Sequence, residues 1–153
     1  MAHSSDIREL VCSFELTSSY GSEPNREEIL LLGADVLPYF IEALPKASRW
    51  QQRASFLYHA LRFADSSSEA VHLAIMALGD RSREVRYRAC MLLACAQNKD
   101  TINELTNLLD HTDHQTREDA VAAIDAIKSS NHNYFVDRDH SGAVSLNFKG
   151  AAS

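Results

Sequence analysis

The side chains of this chain that could do chemistry fall in three places. Asp137-Arg138-Asp139-His140-Ser141-Gly142 sets oxygen donors at positions one, three and five of a loop, with glycine at six for the turn. A hard cation such as calcium wants that arrangement. Position twelve, where such a loop needs a bidentate glutamate, is Phe148, and Asp and Ser also make turns by bonding their own backbone. The loop therefore reads as a structural turn, with Asp137, Asp139 and Ser141 as weak metal candidates and no metal or other cofactor expected. Asp110-His111-Thr112-Asp113-His114 could offer imidazole and carboxylate to a transition metal, but Asp113 also stands where a helix cap is needed.

The third place is a belt of seven arginines, Arg49, Arg53, Arg62, Arg81, Arg83, Arg86 and Arg88, with Trp50, Tyr58 and Tyr87 interleaved. Arginine binds carboxylates and phosphates bidentately, and arginine with tryptophan and tyrosine is the composition of interface hot spots. The residues expected to touch a partner are Trp50, Arg53, Tyr58, Arg83, Tyr87 and Arg88. The belt sits between acidic ends: residues 1–48 carry 3 Lys and Arg against 8 Asp and Glu, residues 49–88 carry 7 against 4, and residues 89–153 carry 5 against 9. A net charge of −6 weighs against non-specific nucleic-acid binding, which needs basic surface to neutralise phosphates.

Catalytic signatures are missing from the sequence. It has no glycine-rich phosphate loop, no Gly-x-Ser-x-Gly elbow and no His-Glu-x-x-His. Cys12, Cys90 and Cys95 are odd in number and lack metal-ligand spacing, so they read as reduced core thiols in apolar surroundings that raise a thiol pKa. The expectation is a non-enzymatic protein. The best apolar run, Ile29 to Ile41, is broken by Gly33, Asp35 and Pro38 and falls short of the roughly 20 residues of a membrane span. The N-terminus has no basic region followed by an apolar one, so a soluble, cytoplasmic location is expected.

The elements that must position these residues read as helices. Ile7, Leu10, Val11 and Phe14 recur at helical spacing from Asp6 to Leu16, with Asp6 and Glu9 placed as a capping pair. The polar break TSSYGSEPN follows, then a short helix Arg26 to Leu32 stopped by Gly33. From Asp35 a repeat takes over. Superimposing Leu44, Leu78 and Leu109, at offsets of 34 and 31 residues, aligns the N-cap candidates Ser48, Ser82 and Asp113 and the small residues Ser55, Ala89 and Ala120. Each unit is then a helix, a tight turn and a second helix: 35–44 with 48–63, 68–78 with 82–97, and 101–109 with 113–128. Ala89 to Ala96 is apolar all round, as expected of a helix covered on several sides.

The second unit, GDRSREVRYRA, and the third, LLDHTDHQTREDAV, resemble the HEAT-like repeats in the short-repeat form also found in phycobilisome-lyase-type proteins, whose hallmark is an aspartate-rich turn followed by Val-Arg-x-x-Ala. Val85, Arg86 and Ala89 match, as do Arg117, Ala120 and Val121, with Thr116 in the valine position; the first unit has Gln51 and Gln52 at the Val-Arg positions. The resemblance covers about Asp35 to Lys128. It implies an all-α, right-handed solenoid of about three helical hairpins, in which Arg86 and Arg117 bond turn aspartates of a neighbouring repeat. Residues 1–33 are then N-terminal capping helices of a single domain and residues 129–153 a linker and tail. Tyr134 to Lys149 is β-prone on both sides of a turn and reads as a short β-hairpin closing the stack. No catalytic residue is carried over. The implied function is protein–protein interaction through the concave surface of the second helices, and the size and acidity also look like a bacterial immunity protein. The same resemblance offers a DNA-binding protein of the alkylpurine glycosylase class and a bilin lyase-like chaperone as alternatives.

Overall fold

In the computed structural model, residues 3–14 and 25–149 are described. The end of the first predicted helix beyond Phe14, the polar break up to Pro24, and residues 1–2 and 150–153 lie outside them.

Among the described residues eight α-helices run in chain order: α1 Ser4–Ser13, α2 Arg26–Leu32, α3 Leu37–Ala43, α4 Trp50–Ala60, α5 Ser68–Ala77, α6 Arg83–Ala96, α7 Ile102–Thr106 and α8 His114–Lys128. The hairpins α3/α4, α5/α6 and α7/α8 stack as three successive units, and α1 packs on α3 in front of them. The middle helix α6 touches α4, α5 and α8. Every residue from Ala89 to Cys95 is buried for that reason, as its unbroken apolar run requires.

The helix boundaries follow local chemistry. Gly33 stops α2 at φ 59°, a left-handed backbone for which glycine pays no Cβ penalty. Asp113 caps α8 by accepting the Thr116 N–H. Two capping expectations are corrected. α1 starts at His3 without a side-chain cap, so Asp6 and Glu9 lie inside the helix. Ser82 occupies the N-cap of α6 without using its hydroxyl; instead its own N–H donates to Asp80 Oδ1 at 2.8 Å.

The register of the first unit is also corrected. Leu44-Pro45-Lys46 forms a 3₁₀ turn that lengthens the loop, so α4 is capped at Arg49 rather than Ser48. The repeat offset there is 33 residues, not 34, between the caps Arg49 and Ser82. The residue equivalent to Ala89 is thus Phe56, which is fully buried and stacks on Phe40 at 4.7 Å. Phe14 and Phe40 also stand edge-on around His59, at 5.7 and 5.6 Å. This aromatic cluster joins α1 to the first unit.

Among the described residues there is no strand, and the expected C-terminal β-hairpin is replaced by a side-chain-bonded tail. A 3₁₀ turn, His132–Phe135, is capped by Asn131, whose side chain accepts from the Asn133 N–H. Leu146 N–H donates to Asn133 Oδ1 at 2.8 Å and Leu146 O lies 2.9 Å from His132 Nε2. Side chains thereby satisfy the backbone groups a facing strand would have bonded. The tail lies along α8 and α6, with Phe135 buried and its ring 5.5 Å from that of Tyr87. Lys149 reaches back to Asp65 of the first unit at 2.7 Å.

Candidate functional site

The site is built on the second helices, and the repeat's arginines decide which of the belt is available. Arg53, Arg86 and Arg117 are structurally equivalent: each donates to the carbonyl six residues earlier, Ala47, Asp80 and His111, at 3.0, 2.7 and 2.6 Å. The first two also reach into the next unit. Arg53 makes a two-pronged ion pair with Asp80 at 2.8 and 3.0 Å, and Arg86 donates to Thr116 at 2.9 Å with Asp113 at 3.7 Å. Arg53 is buried. It holds consecutive units together and is not a surface contact, which corrects the reading of it as a partner residue. Had the first unit been set at an offset of 33, Arg53 would have fallen on the Arg86 position.

The other five candidates separate into an edge and a cluster. Trp50 and Arg83 are the first residues of α4 and α6, with His114 equivalent on α8. They line the turn edge, Trp50 41% exposed and Arg83 exposed with its guanidinium 3.4 Å from Asp113. Tyr58, Tyr87 and Arg88 come together. The Arg88 guanidinium lies 5.5 Å from the centre of the Tyr58 ring and 5.4 Å from that of Tyr87, and its Nε is 3.3 Å from Glu84. A guanidinium over aromatic faces gains electrostatic attraction from the rings. Burial raises the pKa of Tyr87, so its hydroxyl stays a hydrogen-bond donor.

Between α6 and α8 the surface dips into a depression of about 220 Å³ lined by Arg83, Glu84, Tyr87, Gln115 and Asp119. Asp119 is 1% exposed, and its Oδ1 accepts from Gln115 at 3.2 Å and from Arg138 of the tail at 3.0 Å. Arg138 in turn donates to the Phe135 carbonyl at 2.8 Å and lies over the Phe135 ring. The first two turns of the second-helix face are left open and bounded by fixed aromatic and charged groups. Glu84, Gln115, Asp119, Phe135 and Arg138 line or brace the site without being among the residues that sequence pattern singles out. Asp119 had a faint signal, a carboxylate at the repeat position of Arg88 and Ser55, on a helix with a one-sided apolar pattern; Phe135 and Arg138 had none.

The two candidate metal clusters are internally bonded. Asp137 Oδ1 accepts from the Ser141 N–H and hydroxyl at 3.0 and 2.6 Å, and Oδ2 from the Gly142 N–H at 2.7 Å. The Ser141 hydroxyl foremost, then the Gly142 N–H, holds the Asp137 carboxyl below the usual carboxylate range. Gly142, at φ 79°, permits the turn that aims these donors inward. Three donors take up most of the acceptor capacity of Asp137, and the Ser141 hydroxyl points its proton at that carboxylate, so Asp137 and Ser141 close the turn on each other. At the other cluster, His111 Nδ1 accepts from Asp113 N–H at 2.9 Å and Asp113 Oδ2 accepts from the Thr116 hydroxyl at 2.7 Å. Among the described residues no three or more His, Cys, Asp or Glu side chains converge as a metal site, and no helix is long and apolar enough to cross a membrane.

Stacked helical hairpins linked by an arginine-to-aspartate ladder define a helical-repeat protein. The family model for HEAT repeats matches residues 71–132, from α5 into the tail, and this segment is a HEAT-like repeat array. Neither a curated protein nor a solved structure matches the chain.

Proposed function

We propose that the protein is a non-enzymatic interaction module that binds a partner protein on the second-helix face. HEAT repeats generally mediate protein–protein interaction, and with the units wound as a short right-handed solenoid, α4, α6 and α8 form its concave wall. The observation that carries the reading is the Tyr58–Arg88–Tyr87 stack beside the Glu84–Asp119 depression. Its groups already pack on one another in the unbound chain, an arrangement that lowers the ordering cost of association, and their composition is that of interface hot spots.

The DNA-binding alternative is disfavoured by where the arginines point. Arg53, Arg83, Arg86 and Arg88 lie against Asp80, Asp113 and Glu84, and the depression itself holds two carboxylates. A phosphate backbone would meet Glu84 and Asp119 as readily as a cation. The bilin lyase-like alternative gains no support from Cys90 and Cys95, which are buried, and has the exposed Cys12 as its one accessible thiol among the described residues. A narrower form of the main reading, a cytoplasmic bacterial immunity protein neutralising a toxin domain, rests on small size and the net charge of −6, and requires one tight partner.

Affinity capture from the native host at low salt, run in parallel with the wild type and Tyr87→Ala/Arg88→Ala, tests the proposal. One stoichiometric protein held by the wild type and lost by the double variant is the expected result. Recovery of nucleic acid, or of the same protein by both baits, contradicts it.

A further inference from the structure

Asp119 carries an unmet requirement. Its Oδ2 is sealed from solvent and has no hydrogen-bond partner among the described residues, while both of its polar contacts, Gln115 and Arg138, fall on Oδ1. A buried acceptor without a donor costs about 1–3 kcal/mol, more for a charged group. His59 Nε2, Ser55 Oγ and Glu104 Oε2 are also without partners, but none of them lines the depression between α6 and α8, whereas Asp119 does. Gln115 reaches Asp119 from one turn earlier on the same helix and is itself exposed.

The remaining walls suit a cation on an aliphatic stem. Glu84 adds a second carboxylate and Tyr87 an aromatic ring, which attracts cations through its face. The arginines nearby already face carboxylates: Arg83 and Arg86 face Asp113, Arg88 faces Glu84, and Arg138 faces Asp119. With those pairs made, the acceptor left over at the depression is Asp119 Oδ2.

We infer that this depression is a receptor for one basic side chain, a lysine or arginine, projecting from the partner protein, with Asp119 Oδ2 as its buried acceptor, Glu84 as the second carboxylate and Tyr87 against its stem. The inference rests on the protein-binding reading and sharpens it by naming a basic group on the partner.

Titration of the full chain with N-acetyl-argininamide and N-acetyl-lysinamide, followed by amide chemical shifts in two-dimensional NMR, tests the receptor directly, with N-acetyl-norleucinamide as the neutral control. Saturable shifts confined to residues 83–88 and 115–119 are expected with the cations and not with the control. Asp119→Asn, which keeps the shape of the side chain, weakens the cation about tenfold, the loss of one charge-assisted hydrogen bond. If Asp119→Asn fails to fold, Glu84→Gln serves as the second variant, with a weakening of about threefold from a more exposed charge. Absence of saturable shifts, equal response to the neutral control, or unchanged affinity in the folded variants overturns the receptor. A protein still captured through Tyr87 and Arg88 in that event leaves the protein-binding reading standing, so the two failures are separable.

Discussion

Replacing Arg53 by methionine separates a structural role from a binding one. The guanidinium makes three hydrogen bonds, two to Asp80 at 2.8 and 3.0 Å and one to the Ala47 carbonyl at 3.0 Å. The two side chains are 4% and 10% exposed, so water can replace little of what is lost. Removing one partner of a buried ion pair costs about 3–5 kcal/mol, because the other charge stays behind without compensation. Asp80 retains its bond from the Ser82 N–H, which places the expected loss near the lower figure, about 3 kcal/mol. That is a large share of the 5–15 kcal/mol typical of a domain. The assay is urea denaturation of wild type, Arg53→Met, Asp80→Asn and the double variant, with Asn chosen because its carbonyl still serves the Ser82 N–H. The double variant should be more stable than the sum of the single losses implies, with a coupling of about 1 kcal/mol or more. An Arg53→Met variant within about 0.5 kcal/mol of wild type, the range of ordinary surface changes, refutes the ladder.

Other outcomes follow from the same geometry. His59 is buried among phenylalanines, and desolvation first, then the charge of Arg62, lowers its pKa from 6.5 to about 3. Between those values the unfolded chain binds a proton that the folded chain refuses, so stability is full above pH 6.5 and falls as pH drops toward 3, by about 1.4 kcal/mol per pH unit; comparing denaturation at pH 7 and pH 5 for wild type and His59→Leu should show a smaller drop in the variant. Burial pushes the Cys95 thiol up to about 12 and raises the Cys90 thiol as well, whereas Cys12 is exposed; a thiol reagent should label one cysteine in the native protein and three in denaturant, and fast native labelling of three would place α6 at the surface. Phe135→Ala should cost about 3–5 kcal/mol, since the ring is fully buried against Tyr87, and a negligible loss would mean that the tail does not dock.

The repeat was legible because its signals are local. Val85, Arg86 and Ala89, the Asp113 cap and the apolar run of α6 each announce themselves within a few residues. The one-residue slip in the first unit arose because Ser48 is a better cap by residue type than Arg49, while the 3₁₀ turn at Leu44-Pro45-Lys46 moved the helix start beyond it. The tail was misread because β-propensity describes side chains that suit a pleated surface, and the donors and acceptors that decided the outcome, His132, Asn133 and Asp137, act across 4 to 14 residues. Of the partner residues, Tyr58, Tyr87 and Arg88 do converge. Asp119 and Arg138 escaped notice because their pairing, 19 residues apart, depends on where the tail lies.

The central claim is that a partner protein covers the open turns of α6 and α8. Hydrogen exchange on the captured complex, compared with the free chain, addresses it most directly. The account predicts slowed exchange in residues 83–88 and 115–119 with residues 68–77 of α5 unchanged; protection confined to α5 and the other first helices, or none on α6 and α8, contradicts it.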